Sequence, residues 1–571
     1  MTELSFKGKE FVYNHHLAVP FRPLVPHEDK GLGEVALDGN LVIHGDNLHA
    51  LKALLPLYAG KVDCIFIDPP YNTGNEGWCY NDNVNAPMIR EWLESNPIGI
   101  EDGLRHDKWC AMMWPRLRLL FELLCDNGVI FICIDDNELY NLKLMLDEIS
   151  GSSLNWVGTI VWKNVTDNNP TRIAIEHEYI VCFSKNKEAV DKIWKSKFSE
   201  VKDLLVRIGS EFAAKYADQK EMQAAYTNWF REHRNELWPL DRYKYIDKDG
   251  VYTGSQSVHN PGKEGYRYDV IHPKTGQPCA QPLMGYRFPE DTMQDLLSKN
   301  KILFGNDHRK IIELKVYAKD FLDKLPSVIE LDGRTAAYEL RQLFPDRKKA
   351  FDTPKPTQLI ERILSYATGK DSIVLDSFAG SGTTAHSVMN LNAKDEGRRR
   401  FILVEAEEYA DELTRERVER VQQGVASAEQ EPLRSGLGGS FTYCTLGDPV
   451  DLDRMLTGET LPPYAGLGAA LFHMATNHAL DPASVREGDF YLGATGGQHV
   501  WLIYRPDLDW LKSPEAALTL ARARAFAASA PDERHLVFAP ARFVSQKMLS
   551  EQNIPVEFVP LPFALYRIDR S

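Results

Sequence analysis

The chain has 571 residues, 43% of them apolar and 26% charged, which is more than one ordinary hydrophobic core organises, so about three domains are expected. No apolar run reaches the roughly 18–20 residues of a membrane span, and the first residues carry no signal-peptide core, so a cytoplasmic chain is expected. The formal net charge of −15 excludes a uniformly basic nucleic-acid binder, so any DNA contact must be concentrated in a local basic surface.

In chain order, residues 1–34 read as an N-terminal arm. From residue 35 strands and helices alternate. Leu41–His44 is a strand, Gly45-Asp46-Asn47 a turn, Leu48–Leu55 a helix and Val62–Ile67 a buried strand ending at Asp68. Trp109–Leu124 has helical periodicity, Gly128–Ile134 is a buried strand and Leu139–Ile149 a helix, with further strands at Thr159–Lys163 and Tyr179–Ser184. Lys185–Glu236 is charged and helical, and Tyr243–Phe288 is rich in Tyr, Gly, Pro and basic residues. A helix over Thr292–Asn300 and a strand at Ile302–Phe304 follow. The alternation returns at Phe351: helix Gln358–Thr368, strand Ile373–Leu375, helix Thr383–Leu391, strand Phe401–Val404, helix Glu407–Gln423. A Gly/Ser/Glu/Pro stretch then leads to a separate α/β segment with strands near Phe490–Leu492, Val500–Tyr504 and His535–Phe538 and a helix over Pro514–Ala528.

Two α/β blocks around an unlike segment predict one domain completed in two pieces. The boundaries read as 35–164 for the first half, 165–335 for an inserted segment, 336–424 for the second half, 425–440 for a linker and 441–571 for a C-terminal α/β domain. The eight cysteines are scattered without a Cys-x-x-Cys pair, so buried thiols and no metal site are expected.

Asp68-Pro69-Pro70-Tyr71 follows a buried strand, where open α/β sheets bind ligands. Two prolines fix φ and remove two N–H groups, stiffening the loop and leaving carbonyls to accept hydrogen bonds. A base amine is a poor nucleophile because its lone pair is delocalised. An acceptor at Asp68 plus a proline carbonyl can hold both amine hydrogens and aim the nitrogen, and Tyr71 offers a face on which an unstacked base can lie. The alternative is an ordinary rigid turn. In Asp376–Thr384, Gly380 and Gly382 allow a tight turn and close backbone approach to a ligand, next to free N–H groups of a helix beginning near Thr383. The acidic strand end at Glu405 suits a ribose hydroxyl pair. The spacing alone leaves a nicotinamide dinucleotide open; Asp68-Pro-Pro-Tyr has no role in hydride transfer.

These motifs, in this order, resemble those of the DNA amino-methyltransferases, which move methyl from S-adenosylmethionine to a base nitrogen. With the catalytic motif first, the order is similar to that of their beta group. The resemblance implies a Rossmann-like α/β methyltransferase fold with circularly permuted motifs, an inserted target-recognition domain and a C-terminal α/β domain. It implies catalytic roles for Asp68, Pro69, Pro70 and Tyr71. It implies cofactor contacts at Asp46 and Asn47 near the adenine, at Lys355 and Pro356 near the methionine end, and at Asp376, Phe378, Gly380, Gly382, Thr383 and Glu405.

The longer set Asp68–Gly74, Trp109–Leu117, Glu176–Val181, Gly285–Phe288 and Phe351–Pro356 is similar to that of modification subunits of type III restriction-modification systems. That implies methylation of adenine N6 after base flipping, Asp68 rather than serine heading the motif. It further implies double-stranded DNA, a second copy and an ATP-dependent helicase-nuclease restriction subunit as partners. A solitary epigenetic methyltransferase, and a specificity subunit that mainly recruits a nuclease-helicase, are the alternatives.

In the inserted segment aromatics alternate with cations, and Tyr243, Lys244, Tyr245, Arg267, Lys274 and Arg287 are the candidate DNA contacts. A solvated surface is the alternative for any one of them. Pro278-Cys279 lies in the same segment, away from any buried α/β strand, so a cysteine nucleophile is not indicated. The C-terminal domain carries none of the motifs and is expected to bind a second copy or a partner. Its apolar string Val556–Leu565 either supplies that contact or completes the domain's own sheet.

Overall fold

Val62–Ile67, Leu124–Ile134 and Ile373–Asp376, each built around a short apolar run, form neighbouring parallel strands that are largely buried, as a sheet covered on both faces requires. This computed structural model describes residues 4–73, 103–151, 155–165, 172–197, 199–237, 239–255, 258–260, 262–449 and 461–561. The chain divides into two units, one of residues 1–193 with 326–571, the other of residues 194–325. In chain order the first unit holds β1 (Leu24–Leu32), β2 (Leu41–His44), β3 (Val62–Ile67), β4 (Leu124–Ile134), β5 (Trp156–Lys163) and β6 (His177–Ser184). The second holds β7 (Tyr245–Asp247), β8 (Gly250–Ser255), β9 (Ile302–Leu303) and β10 (Glu313–Tyr317). The first resumes with β11 (Val328–Glu330), β12 (Ile373–Asp376), β13 (Arg400–Glu405) and β14 (Phe441–Leu446). It ends with β15 (Tyr491–Thr495), β16 (Gln498–Leu502), β17 (Ala517–Leu518), β18 (Arg534–Ala539), β19 (Ala541–Arg542) and β20 (Val556–Pro560).

Ten strands make one sheet in the order β1-β14-β2-β13-β12-β3-β4-β6-β5-β11. From β2 to β4 all neighbours are parallel, and β6 runs antiparallel between β4 and β5. Strand order builds outward in one direction through β12, β13 and β2 and in the other through β3 and β4. The boundary between β12 and β3 is therefore a topological switch point, where such sheets bind ligands outside their carboxyl ends. Because β2 and β3 come early and β12 and β13 late, the two halves of this sheet are far apart in sequence. This is the permuted Rossmann-like α/β arrangement expected.

The expected boundaries differ from the structure in four places. β6 and β11 lie within the expected insert but belong to the ten-stranded sheet, and the second unit is the shorter 194–325. The N-terminal arm supplies β1, which pairs antiparallel with β14. β14, the expected start of the C-terminal domain, pairs parallel with β2. The expected linker contains the helix Glu431–Ser435.

The second unit packs helices Glu200–Lys215 and Gln219–His233 with a sheet in the order β7-β8-β10-β9. In the first unit, beyond β14, helix Tyr464–Thr476 shares a core with a four-stranded sheet in the order β15-β16-β18-β20. β20 pairs parallel with β18 and buries Val556 and Val559, so this part of the apolar string completes the domain's own sheet; residues 562–565 lie outside the described residues. The expected helix over Pro514–Ala528 begins only at Leu520, capped by Thr519, because β17 occupies Ala517–Leu518. Among the described residues no helix is long and apolar enough to cross a membrane.

Candidate active site

β3 delivers Asp68-Pro69-Pro70-Tyr71 and β12 delivers Asp376 to one cleft of about 530 Å³ at the switch point. Asn47, Asp68, Pro69, Pro70, Tyr71, Lys355, Asp376, Phe378, Gly380, Thr383 and Glu405 all line it. Asp46, Pro356 and Gly382 do not. Asp46 caps the helix Asn47–Tyr58, accepting from the amides of Leu48 (3.0 Å) and His49 (3.2 Å). It thereby fixes Asn47, whose Nδ2 donates to the Ser377 carbonyl at 3.1 Å and whose Oδ1 accepts from Arg116 at 2.6 Å. Pro356 caps the helix Thr357–Ala367.

The Pro70 carbonyl accepts the Trp109 indole N–H at 2.7 Å. Of the two proline carbonyls, this one is already engaged. Tyr71 Oη lies 2.8 Å from Asp68 Oδ1 and 2.9 Å from Glu178 Oε2 and accepts from Lys355 Nζ at 3.0 Å. Lys355 Nζ also stands 2.9 Å from Asp68 Oδ2 and 3.2 Å from Glu178 Oε2. Burial by itself would lower the Lys355 ammonium, but the Asp68 and Glu178 carboxylates outweigh it and hold the group above the ordinary lysine value. Burial, then the Asp68 charge, raises the Tyr71 phenol well above its ordinary value. Asn72 follows in the left-handed region at φ 60°. Its side chain donates to the Arg105 carbonyl and to the fully buried Glu138, which also holds His106 Nδ1 at 2.6 Å. Asn72, directly after the motif, is thus anchored on a buried carboxylate.

On the other side of the cleft, Asp376 accepts from the Phe378 amide at 3.0 Å and the Thr384 hydroxyl at 2.6 Å. Burial nevertheless pushes its carboxyl up to about 7. Gly380 (φ 52°) donates its N–H to Glu405 Oε2 at 2.7 Å, and its carbonyl accepts from Thr414 at 2.6 Å. Thr414 sits in the π-helical turn Ala410–Arg415, a geometry frequent at functional sites. Gly382 (φ 79°) serves the turn, not the ligand face: a β-carbon there would stand 3.2 Å from the Thr414 carbonyl. Beneath the loop the buried Arg417 donates to Ser381 Oγ (3.0 Å) and Thr383 Oγ1 (2.8 Å) and pairs with Glu339 at 3.5 Å. Glu339 accepts from Thr357, which ties the glycine-rich loop to the Lys355 segment.

Phe351, Tyr409 and Glu178 also line the cleft; Phe351 and Glu178 fall within the strings Phe351–Pro356 and Glu176–Val181 without being candidate site residues, and Tyr409 falls in none. Phe351 and Tyr409 meet edge to face at 5.5 Å. Glu178 carries two signals in the sequence, its place in the string Glu176–Val181 and a carboxylate at the start of a mainly apolar strand.

In the second unit Tyr243 is fully buried and its carbonyl accepts from Tyr226, so it is a core residue and the expectation of a DNA contact there is corrected. Lys244 is exposed over the ring of Tyr245, which stacks on Tyr252. Arg267, Lys274 and Arg287 are exposed, and Arg267 donates to the Leu283 carbonyl at 2.8 Å. Cys279 is buried.

A family model described as DNA methylase matches residues 62–416, more than half of the chain. The chain belongs to the DNA methylase family. Among its relatives, the EcoP15I Mod subunit of a type III restriction-modification enzyme from Escherichia coli is 56% identical over 65% of this chain and 58% of its own length. The chain thus spans less than two thirds of that methylase relative. The StyLTI Mod subunit of a type III enzyme from Salmonella typhimurium is 31% identical over 89% of this chain and 77% of its own. The solved PvuII DNA methyltransferase, cytosine-N4-specific, is 11% identical over 66% of this chain and 86% of its own, with a TM-score of 0.32.

Proposed function

We propose that this DNA methylase is the modification subunit of a type III restriction-modification system and transfers methyl from S-adenosylmethionine to adenine N6. The observation that carries this is the meeting of Asp68-Pro-Pro-Tyr with the glycine-rich loop in one cleft. The donor set fits the cofactor. Asp376 and Glu405 give the wall anionic acceptors suited to a cation and to ribose hydroxyls, and Phe351 and Tyr409 offer faces for an adenine ring. S-adenosylmethionine, when bound, supplies the activated methyl group.

The chain's own residues do the rest. Asp68 accepts one amine hydrogen of a flipped base and takes the proton that the nitrogen must shed. The Pro69 carbonyl accepts the other, since Pro70's is engaged. Tyr71 presents the stacking face, and Trp109 and Asn72 hold the loop rigid so that the amine is oriented before reaction. Lys244, Tyr245, Arg267, Lys274 and Arg287 are assigned to double-stranded DNA. A second copy and a helicase-nuclease subunit are assigned as partners of the residues beyond 441.

The test is expression of the chain in a host lacking DNA methylation, followed by sequencing that detects modified bases. N6-methyladenine at one recurring sequence is expected. Unmodified DNA, or methyl on cytosine alone, would contradict the assignment.

A further inference from the structure

Glu178 belongs to the catalytic knot, and the string Glu176–Val181 that contains it gives it no role by itself. It projects from β6, in register opposite Trp162 of β5. One oxygen, Oε1, accepts from Asn164 Nδ2 at 2.7 Å, which fixes the plane of the carboxylate. The other, Oε2, faces Tyr71 Oη and Lys355 Nζ. An ammonium has three N–H donors, and those of Lys355 have three acceptors within reach: Asp68 Oδ2, Glu178 Oε2 and Tyr71 Oη.

Lys355 therefore stands where the amine of a target base must come. An ammonium and an aromatic amine offer Asp68 the same kind of donor. A carboxylate has further lone pairs, so simple crowding is not the difficulty. The difficulty is charge. The attacking nitrogen becomes positive as it takes the methyl group, and a cation held on Asp68 opposes that developing charge. Before the base arrives the same cation is useful, because it pairs the half-buried Asp68 carboxylate.

Resting on the methyltransferase reading above, we propose that Glu178 is a positioning residue that draws the Lys355 ammonium off Asp68 when the target amine binds. Lys355 is then a placeholder for the amine, and Glu178 with Tyr71 Oη is where it withdraws. Both acceptors already lie within hydrogen-bond reach of Nζ, so the shift needs no backbone motion. Asn164 keeps the Glu178 carboxylate turned toward the lysine.

The experiment uses the full chain with unmethylated plasmid DNA and radiolabelled S-adenosylmethionine at saturation, under single-turnover conditions. Cofactor affinity is measured separately by calorimetry. Glu178→Gln is expected to bind the cofactor within about threefold of the parent and to lose about 30-fold in transfer rate, because Lys355 then keeps Asp68 as its charged partner. Glu178→Asp should recover part of the loss. The deciding variant is Glu178→Gln combined with Lys355→Met, which should transfer methyl about tenfold faster than Glu178→Gln alone, since the competing cation is gone. If the double variant is as slow as Glu178→Gln or slower, the withdrawal idea is overturned. If Glu178→Gln does not fold, Asn164→Ala alone and with Lys355→Met answers the same question in the same way. Failure of the parent chain to methylate any DNA would instead sink the methyltransferase reading, so the two failures are distinguishable.

Discussion

Asp68 and Asp376 end neighbouring parallel strands, β3 and β12, and the Asp68 charge adds to the burial that raises the Asp376 carboxyl. The inserted unit lies between them in sequence. On the proposed reaction one acid serves the amine and the other the cationic cofactor, so one pair of strand ends would hold both halves of the reaction.

Cofactor affinity should depend on the protonation of Asp376. Its carboxyl is pushed up to about 7 in the free protein, chiefly by burial. A cationic ligand favours the ionised form, so the raised value means that protonation competes with binding below pH 7 and not above it. S-adenosylmethionine affinity should be flat above neutrality and fall on the order of tenfold per pH unit below it, with about one proton released per cofactor at pH 6. Calorimetry in two buffers of different ionisation enthalpy measures this. Asp376→Asn should abolish the dependence.

The two glycines of the cofactor loop should fail differently. Gly382 is at φ 79°, and a β-carbon on it would press on the Thr414 carbonyl at 3.2 Å, so Gly382→Ala is expected to cost about 1–3 kcal/mol in stability. Gly380 lines the cleft, and a side chain there meets the Phe351 ring at 3.5 Å. Gly380 is itself at φ 52°, so Gly380→Val should lower Tm as well and, in the protein that remains folded, also weaken cofactor binding, which Gly382→Ala should not. Thermal denaturation beside calorimetry separates the two.

Arg417 is buried under the loop, and burial pulls its guanidinium down to about 10 even though Glu339 opposes the shift. Arg417→Met would leave the Glu339 carboxylate buried without its cation. A loss of about 3–5 kcal/mol is expected in chemical denaturation, and Glu339→Gln in the same background should return part of it.

DNA affinity should track the exposed cations of the second unit and not its buried tyrosine. Alanine at Arg267, Lys274 or Arg287 is expected to weaken binding and to lower the salt slope by about one for each phosphate no longer neutralised. Tyr243→Phe should leave DNA binding unchanged. Equilibrium titrations at several salt concentrations decide both points.

The buried centre of the sheet is legible in the sequence because β3, β4 and β12 are nearly continuous apolar runs with no competing period. The edges are not. β1 is half exposed and polar along most of its length, β11 has three residues, and β14 emerges directly from a glycine-rich stretch. Tyr243 misleads because alternating aromatic and basic residues read alike whether the aromatic faces the core or the solvent. Burial, which puts Tyr243 inside and Lys244 outside, is a tertiary outcome. The role of Glu178, within the string Glu176–Val181, is hidden for a related reason: a single acid in a strand has no spacing partner, and its significance lies in Tyr71 and Lys355 arriving from distant parts of the chain.

On the proposed mechanism Asp68 acts on the amine and not on the cofactor. The measurement is methyl transfer by Asp68→Ala beside its S-adenosylmethionine affinity by calorimetry. Transfer should fall by at least about 1000-fold while affinity stays within a few-fold of the parent. Near-parental transfer by Asp68→Ala, or loss of cofactor binding in step with loss of transfer, would contradict the account.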